Sequence, residues 1–407
     1  MKVAFFVSEF PALSETFILN QIVGLIEQGI EVEIFPLKKE KTKLIHPLVK
    51  KYQLLDKTYC FNLPQNRTAR YLKFILLFFL ALLTKPSALR PFLSQQKINK
   101  RARLELFFRS LAIKNKEFDI IHCHFGPNGE QAVLLRDFGL IQGKMITSFH
   151  GYDFSAYVEA QGKRVYRQLF RQSELVTVNS GFTGKKVKAL GCPKNKIVKL
   201  PESLRIEDFP FRPKKLKPKE KVKLLTVARL VEKKGVKDSI KTVARVVEKH
   251  PHLEYQIAGD GPLKEKLSYL IRRLKIEEKI KLLGWQDQNQ IQKLYQQSHL
   301  FILASLTAKS GDQEGQGLVL QEAQASGLPV IATKHNGFPE GILEGKSGFL
   351  VPEGDVKALA EKLEYLITHP QIWLKIGRAG RKFVEKQYDS DRLNKQLVKI
   401  YQKLLNQ

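Results

Sequence analysis

The stretch Ser310–Thr333, SGDQEGQGLVLQEAQASGLPVIAT, sets Glu314 in front of a glycine turn and Glu322 behind it. An apolar run, HLFILAS (His299–Ser305), and a polar loop lead into it, and a second apolar run, LPVIAT, closes it. The unit reads as strand, loop, helix and strand. The helix is expected from Gly317 or Leu318 to about Ser326, with Gly327 as its stop. Glu314 then lies in the loop, and Glu322 lies a turn or so inside the helix. Acidic residues are common near helix starts, so the pair alone decides nothing.

The same unit recurs along the chain. KVAFFV opens the first half, and a helix pattern follows from Ser14 to Gln28, ending at Gly29. EVEIFPL, FDIIHCHFG, KMITSFHGYD and ELVTVNSGF then read as strands. The second half repeats the scheme with VKLLTVARL, LEYQIAGDG, KIKLLGW, HLFILAS, LPVIAT and GFLVP. Short apolar strands alternating with helices argue for parallel sheets covered on both faces. The expected fold class is therefore α/β, with two doubly wound Rossmann-like domains facing across a cleft. The Pro- and Lys-rich stretch Pro210–Lys223 marks the join. The expected division is 1–205, 206–385 and a C-terminal helix, 386–407, that returns to the first domain.

At 407 residues the chain suits two domains of similar size. Its 69 Lys+Arg against 40 Asp+Glu give a net charge of +29, a surface that attracts polyanions. Cys60, Cys123 and Cys192 lie far apart without metal-ligand spacing, which suits a reducing, cytoplasmic compartment. MKVAFFVSEFPALSETF turns polar after a brief apolar run and reads as a first strand, not a signal peptide. Phe74–Leu83 is an unbroken apolar run, too short to span a bilayer as a helix. A buried core helix and an interfacial helix are its two readings. Thirteen Lys/Arg against Glu105 alone, between Lys57 and Lys116, favour an anionic membrane surface.

In open α/β sheets, ligands bind beyond the carboxyl ends of strands. That rule selects the loops carrying Glu9, His124, His150, Asp153, Arg229, Asp260 and the opening stretch. Two carboxylates flanking a helix N-terminus, where N–H groups attract anions, suit a nucleotide diphosphate sugar. Gly315 and Gly317 would let such a ligand approach the backbone. His122 and His124 fall on one side of a strand without a third ligand, so no metal site is expected. Asp260 reads as a turn residue and Glu340, in GFPEGI, as a helix-start carboxylate.

EGQGLVLQEAQASGLPVIAT resembles the donor-site motif of family-4 retaining glycosyltransferases, in which two glutamates are separated by seven residues and the fold is the two-domain GT-B fold. VARLVEKKG is similar to the family's Arg and Lys phosphate-binding turn, AGDGP to its second βα turn, and HGYD to its N-domain histidine turn. SEFPALSETFI and IIHCHFG resemble the exopolysaccharide and colanic-acid-type branch. The resemblance implies that Glu314 holds sugar hydroxyls and Glu322 the ribose. Arg229 and Lys234 would neutralise the departing diphosphate, work that a metal performs elsewhere. Gly259, Gly315, Gly317, Leu318 and Trp285 would complete the donor site. His150 would contact the donor sugar near its reacting carbon, with Asp153 orienting it or binding the acceptor.

The first βα loop, SEFPALSE, lacks the paired glycines of many relatives, which leaves Glu9, Ser14, His124 and Asp153 as acceptor candidates. The implied activity is metal-independent, cofactor-free, retaining transfer from a UDP- or GDP-linked sugar to a saccharide or polyprenyl-linked saccharide. The implied location is the inner face of the plasma membrane. A sugar-nucleotide epimerase on the same fold is one alternative. A polyanion or nucleic-acid binder is another, although the basic residues are scattered with few aromatics between them and no nucleic-acid module is legible.

Overall fold

The computed structural model describes the whole chain except residues 13, 40–44, 61–65, 94–99 and 114–116. Two parallel six-stranded sheets organise it. The first contains β1 (Lys2–Phe10), β2 (Glu31–Lys39), β3 (Glu117–His124), β4 (Gln142–Phe149), β5 (Leu175–Val178) and β6 (Ile197–Lys199), in the order β2-β1-β3-β4-β5-β6. The second contains β7 (Val222–Val227), β8 (Leu253–Ala258), β9 (Ile280–Gly284), β10 (Leu300–Leu303), β11 (Val330–Thr333) and β12 (Gly348–Val351), in the order β12-β11-β10-β7-β8-β9.

KVAFFV shows why the sheet is covered on both sides. Ala4 and Phe6 join one core with Ile121 and Leu135; Val3, Phe5 and Val7 join another with Ile22 and Val23. Alternate side chains of a strand point to opposite faces, so an all-apolar strand needs a layer on each. The C-terminal helix Ser390–Leu405 supplies part of the second core through Leu393, Leu397, Tyr401 and Leu404. Asn394 Nδ2 of that helix donates to the Asn20 carbonyl of the first helix, Thr16–Glu27.

The strand order reverses between β1 and β3 in the first sheet and between β7 and β10 in the second. Neighbouring crossovers diverge at such points and open a crevice at the strands' carboxyl ends. The turn after β7 is held close to β10: a side-chain carbon at Gly235, where φ is +62°, would lie 1.7 Å from the Ala304 carbonyl oxygen. Only glycine fits that turn.

The helix Arg67–Thr84 divides the two readings of the Phe74–Leu83 run between its faces. Phe74, Leu77, Phe78 and Ala81 pack against Leu89, Phe92, Phe107 and Phe108. Tyr71, Leu76, Phe79 and Leu83 stand 65, 70, 64 and 87% exposed on the other side. No helix among the described residues is long and apolar enough to cross a membrane.

Candidate active site

The two carboxyl-end crevices face each other over a cleft of about 820 Å³, within the roughly 300–1,000 Å³ typical of small-molecule sites. Arg229, Lys233 and Lys234 from the turn after β7, Glu314 and Gly315 from the loop after β10, and Glu322 from the helix Val319–Ala325 line one wall. Gly259, Trp285 and Leu318 also line it, while Ser14, Phe17 and His150 come from the first domain.

The two glutamates differ in electrostatics. Burial alone would raise Glu314's pKa, but Lys234, Lys233 and Arg229 outweigh it and hold the carboxyl down at about 2. Lys234 Nζ lies 2.8 Å from its carboxylate. Glu322 lacks that cation cluster, and burial pushes it up to about 7 despite the Tyr295 hydroxyl, which donates to it at 2.9 Å. The Glu314 backbone is fixed as well. Its N–H donates to His335 Nε2 at 3.1 Å, and its carbonyl accepts from Asn336 Nδ2 at 2.7 Å. Leu318 and Val319, at the helix start between the two glutamates, find no backbone acceptor for their N–H groups among the described residues.

Of the two glycines of the turn, Gly315 lines the cleft. A side chain at Gly315 would collide with the His150 carbonyl oxygen at 1.7 Å, so this glycine lets the two domains touch. The space beside Gly317 is filled by the Phe338 ring, and Gly317 does not line the cleft.

On the opposite wall, His150 is nearly enclosed, with its side chain 9% exposed. Its Nδ1 lies 2.9 Å from Glu202 Oε1, and its Nε2 lies 3.1 Å from His124 Nδ1. His124 in turn stacks on His122, whose Nδ1 is 2.6 Å from the Tyr401 hydroxyl. Burial holds both His122 and His124 in the neutral form. Asp153 is fully buried and accepts hydrogen bonds from the backbone N–H groups of Gly126, His150 and Gly151. It therefore shapes the histidine turn, and it neither touches the imidazole nor reaches the cleft.

Of the four acceptor candidates, only Ser14 lines the cleft. His124 and Asp153 are buried, and Glu9 borders a separate small hollow with Phe10 and His46. Glu340 is not a cap for its own short helix. Its carboxylate accepts from the N–H groups of Gly181 and Phe182 at 3.1 and 3.2 Å, capping the helix Gly181–Ala189 of the other domain, and it pairs with Lys199. Lys233, Asn179, Glu202 and Gln316 escaped the sequence reading. No group of three or more His, Cys, Asp or Glu among the described residues is arranged to hold a metal ion.

Two doubly wound domains closing on a cationic cleft are the build of a GT-B glycosyltransferase. Residues 14–204 match the model for Glycosyltransferase Family 4, and residues 208–383 match that for Glycosyl transferases group 1. The putative colanic acid biosynthesis glycosyltransferase WcaL of Salmonella typhimurium is 35% identical over 99% of this chain and 100% of its own length. The amylovoran biosynthesis glycosyltransferase AmsK of Erwinia amylovora is 34% identical over the same shares. The chain belongs to the family-4, group 1 glycosyltransferases. The crystal structure of Anabaena HepE in complex with UDP-glucose shares the fold, with a TM-score of 0.73 at 17% identity over 99% of this chain and 100% of that one. The epimerase and nucleic-acid alternatives gain no support from these relatives.

Proposed function

We propose that this chain is a retaining, metal-independent transferase that moves a sugar from a UDP- or GDP-linked donor to a saccharide or polyprenyl-linked saccharide in exopolysaccharide synthesis. The observation that carries the reading is the cleft wall itself. One ionised carboxylate, three cations and a second carboxyl share it: Lys234, Lys233 and Arg229 all act on Glu314, and Lys234 acts on Glu322 as well. A sugar, a diphosphate and a ribose need that combination of hydrogen-bond acceptors and cations. As the bond from the anomeric carbon to the diphosphate oxygen breaks, negative charge gathers on that oxygen, and the preset cations stabilise it. The acceptor hydroxyl bonds to the same face of the anomeric carbon and passes its proton to the departing phosphate. Glu314 is then a positioning group, not one of a pair of hydrolytic carboxylates.

The exopolysaccharide assignment rests on the printed names of the two full-length relatives. The membrane part of the proposal rests on the exposed apolar face of the helix Arg67–Thr84 and its basic surroundings. An apolar helix face of this kind lies in the headgroup plane without crossing. Such attachment brings the first-domain wall of the cleft toward lipid-linked acceptors on the cytoplasmic leaflet.

The test is a panel of UDP-, GDP- and ADP-sugars read by thermal stabilisation and by NMR of the product's anomeric configuration. A donor at a hundred times its Kd stabilises the fold by about 2.7 kcal/mol. Activity should survive EDTA. Loss restored by Mg²⁺ or Mn²⁺ overturns the metal-independent part, and an inverted product overturns the retaining part.

A further inference from the structure

Glu202 lies on the connection between β6 and β7, where the chain passes from one sheet to the other. No motif marks it, yet it joins both walls of the cleft. Its Oε1 accepts from Asn179 Nδ2 at 2.8 Å and lies 2.9 Å from His150 Nδ1. Its backbone N–H donates to Gln316 Oε1 at 2.8 Å, and its carbonyl accepts from Gln316 Nε2 at 2.9 Å. Gln316 is 2% exposed and stands two residues beyond Glu314. A two-point amide clamp on the main chain allows little displacement, so the donor loop and the Glu202 carboxylate move together.

We propose that Glu202 is a positioning residue for His150, fixing it as the Nδ1–H tautomer with Nε2 left as a hydrogen-bond acceptor toward His124, and that Gln316 ties that setting to the donor loop. The proposal rests on the reading of His150 as a group that meets the donor sugar.

The hydrogen-bond network fits this tautomer of the neutral ring. A carboxylate can only accept, so the proton of a neutral His150 belongs on Nδ1. Nε2 then accepts from His124 Nδ1–H, which leaves His124 Nε2 bare, and that buried atom indeed has no partner among the described residues. With the other tautomer, Nε2 would present a hydrogen to His124 Nδ1, and Glu202 would face an unprotonated nitrogen. Asn179 helps from the side, because its Nδ2 also donates to the His150 carbonyl at 3.1 Å. Backbone, ring and carboxylate of the histidine turn are thus held by one constellation that includes the donor loop.

The experiment is nitrogen-15 NMR of the full-length chain with labelled histidines, the His150 signals being assigned by their loss in His150→Ala. Wild type should show Nδ1 protonated and Nε2 bare. Glu202→Gln, which keeps an acceptor oxygen, should retain this pattern, and Glu202→Ala should lose it. Detection of the Nε2–H tautomer in wild type overturns the proposal without recourse to any variant.

Rates supply a second measurement, using the sugar nucleotide that stabilises the fold most in the panel. Glu202→Ala should lower kcat at least 10-fold, with Glu202→Gln between it and wild type and nucleotide Kd within about 2-fold. Adding Glu202→Ala to His150→Ala should cost nothing further, because the residue acts through the histidine. Additive losses, or a wild-type kcat in Glu202→Ala, overturn the positioning role alone. A wild-type kcat in His150→Ala overturns the reading of His150 itself.

Discussion

Lys234 Nζ and Glu314 Oε2 meet at 2.8 Å, joining the turn after β7 to the loop after β10 across the point where the strand order reverses. Glu314 stays ionised at every pH the cell experiences, so it can only accept hydrogen bonds. Its depressed pKa is also a statement about stability. The contribution is present above the unfolded carboxyl value of 4.5 and is lost as pH falls toward about 2.

Lys234→Ala therefore removes Glu314's closest cation. Urea unfolding at pH 7 should show a loss of about 1–3 kcal/mol, the cost of a poorly satisfied enclosed charge. The gap between variant and wild type should narrow as the pH is lowered toward 3. A gap that stays constant with pH means that the pair contributes no electrostatic stability.

Glu322 has the opposite sign. Its folded pKa of about 7 lies above the unfolded value, so its favourable contribution is complete below pH 4.5 and is lost as pH rises through 7. Glu322→Gln mimics the protonated form. It should remain level between pH 5 and 8 where wild type loses about 2 kcal/mol. If the ionised carboxylate holds ribose hydroxyls, wild-type affinity for the preferred nucleotide sugar should rise from pH 6 to pH 8. Calorimetry should find the Glu322→Gln affinity weaker and independent of pH over that range.

Glu340 caps a helix in the domain to which it does not belong, and the usual effect of losing a cap gives the expected size. Glu340→Ala should lower unfolding free energy by about 1 kcal/mol. Because the cap spans the domains, small-angle scattering should also show a larger radius of gyration. Loss of stability at an unchanged radius leaves the cap as a local feature only.

Membrane attachment requires a different set of substitutions from the one that the charge count suggests. Arg103 donates to the Pro91 carbonyl at 2.6 Å, and burial lowers Arg109's pKa, so reversing those charges would damage the fold. Lys97, Lys114 and Lys116 fall outside the described residues, as do the side chains of Arg67 and Arg101. Leu76→Ser, Phe79→Ser and Leu83→Ser instead alter an exposed surface. Together they should abolish co-sedimentation with anionic vesicles while thermal stability holds. Phe107→Ala, behind the same helix, should cost about 3–5 kcal/mol of stability. Wild-type binding should weaken with salt; equal binding to neutral vesicles removes the electrostatic part.

The strands with unbroken apolar runs were legible because a sheet buried on both faces leaves no room for polar alternation. β6 escaped because its three residues, Ile197–Lys199, carry too little pattern to separate strand from loop. The first helix was expected from Ser14 to Gln28 and spans Thr16–Glu27. The placement of Glu314 in a loop and Glu322 in the helix behind it was legible because the glycines between strand and helix mark the helix start. Glu202 and Gln316 have no local signature, since their roles arise from a contact between residues 114 positions apart. Glu340 does stand in the first turn of a short helix, as its neighbourhood indicates, but its carboxylate serves a second helix start that no local pattern could show.

The seating of the C-terminal helix has a consequence for how the protein is made. Leu393, Leu397, Tyr401 and Leu404 complete the same core as Val3 and Phe5, so the first half of the chain leaves the ribosome with one side of its sheet only partly covered, by its first helix. The gap stays open until Ser390–Leu405 has been translated, long after β1 has paired. A premature stop shortly before Ser390 would spare every cleft residue and still deprive the first domain of its lid, leaving an apolar surface for chaperones and proteases to find. The helix Ser390–Leu405 thus acts as a completion check on the first domain.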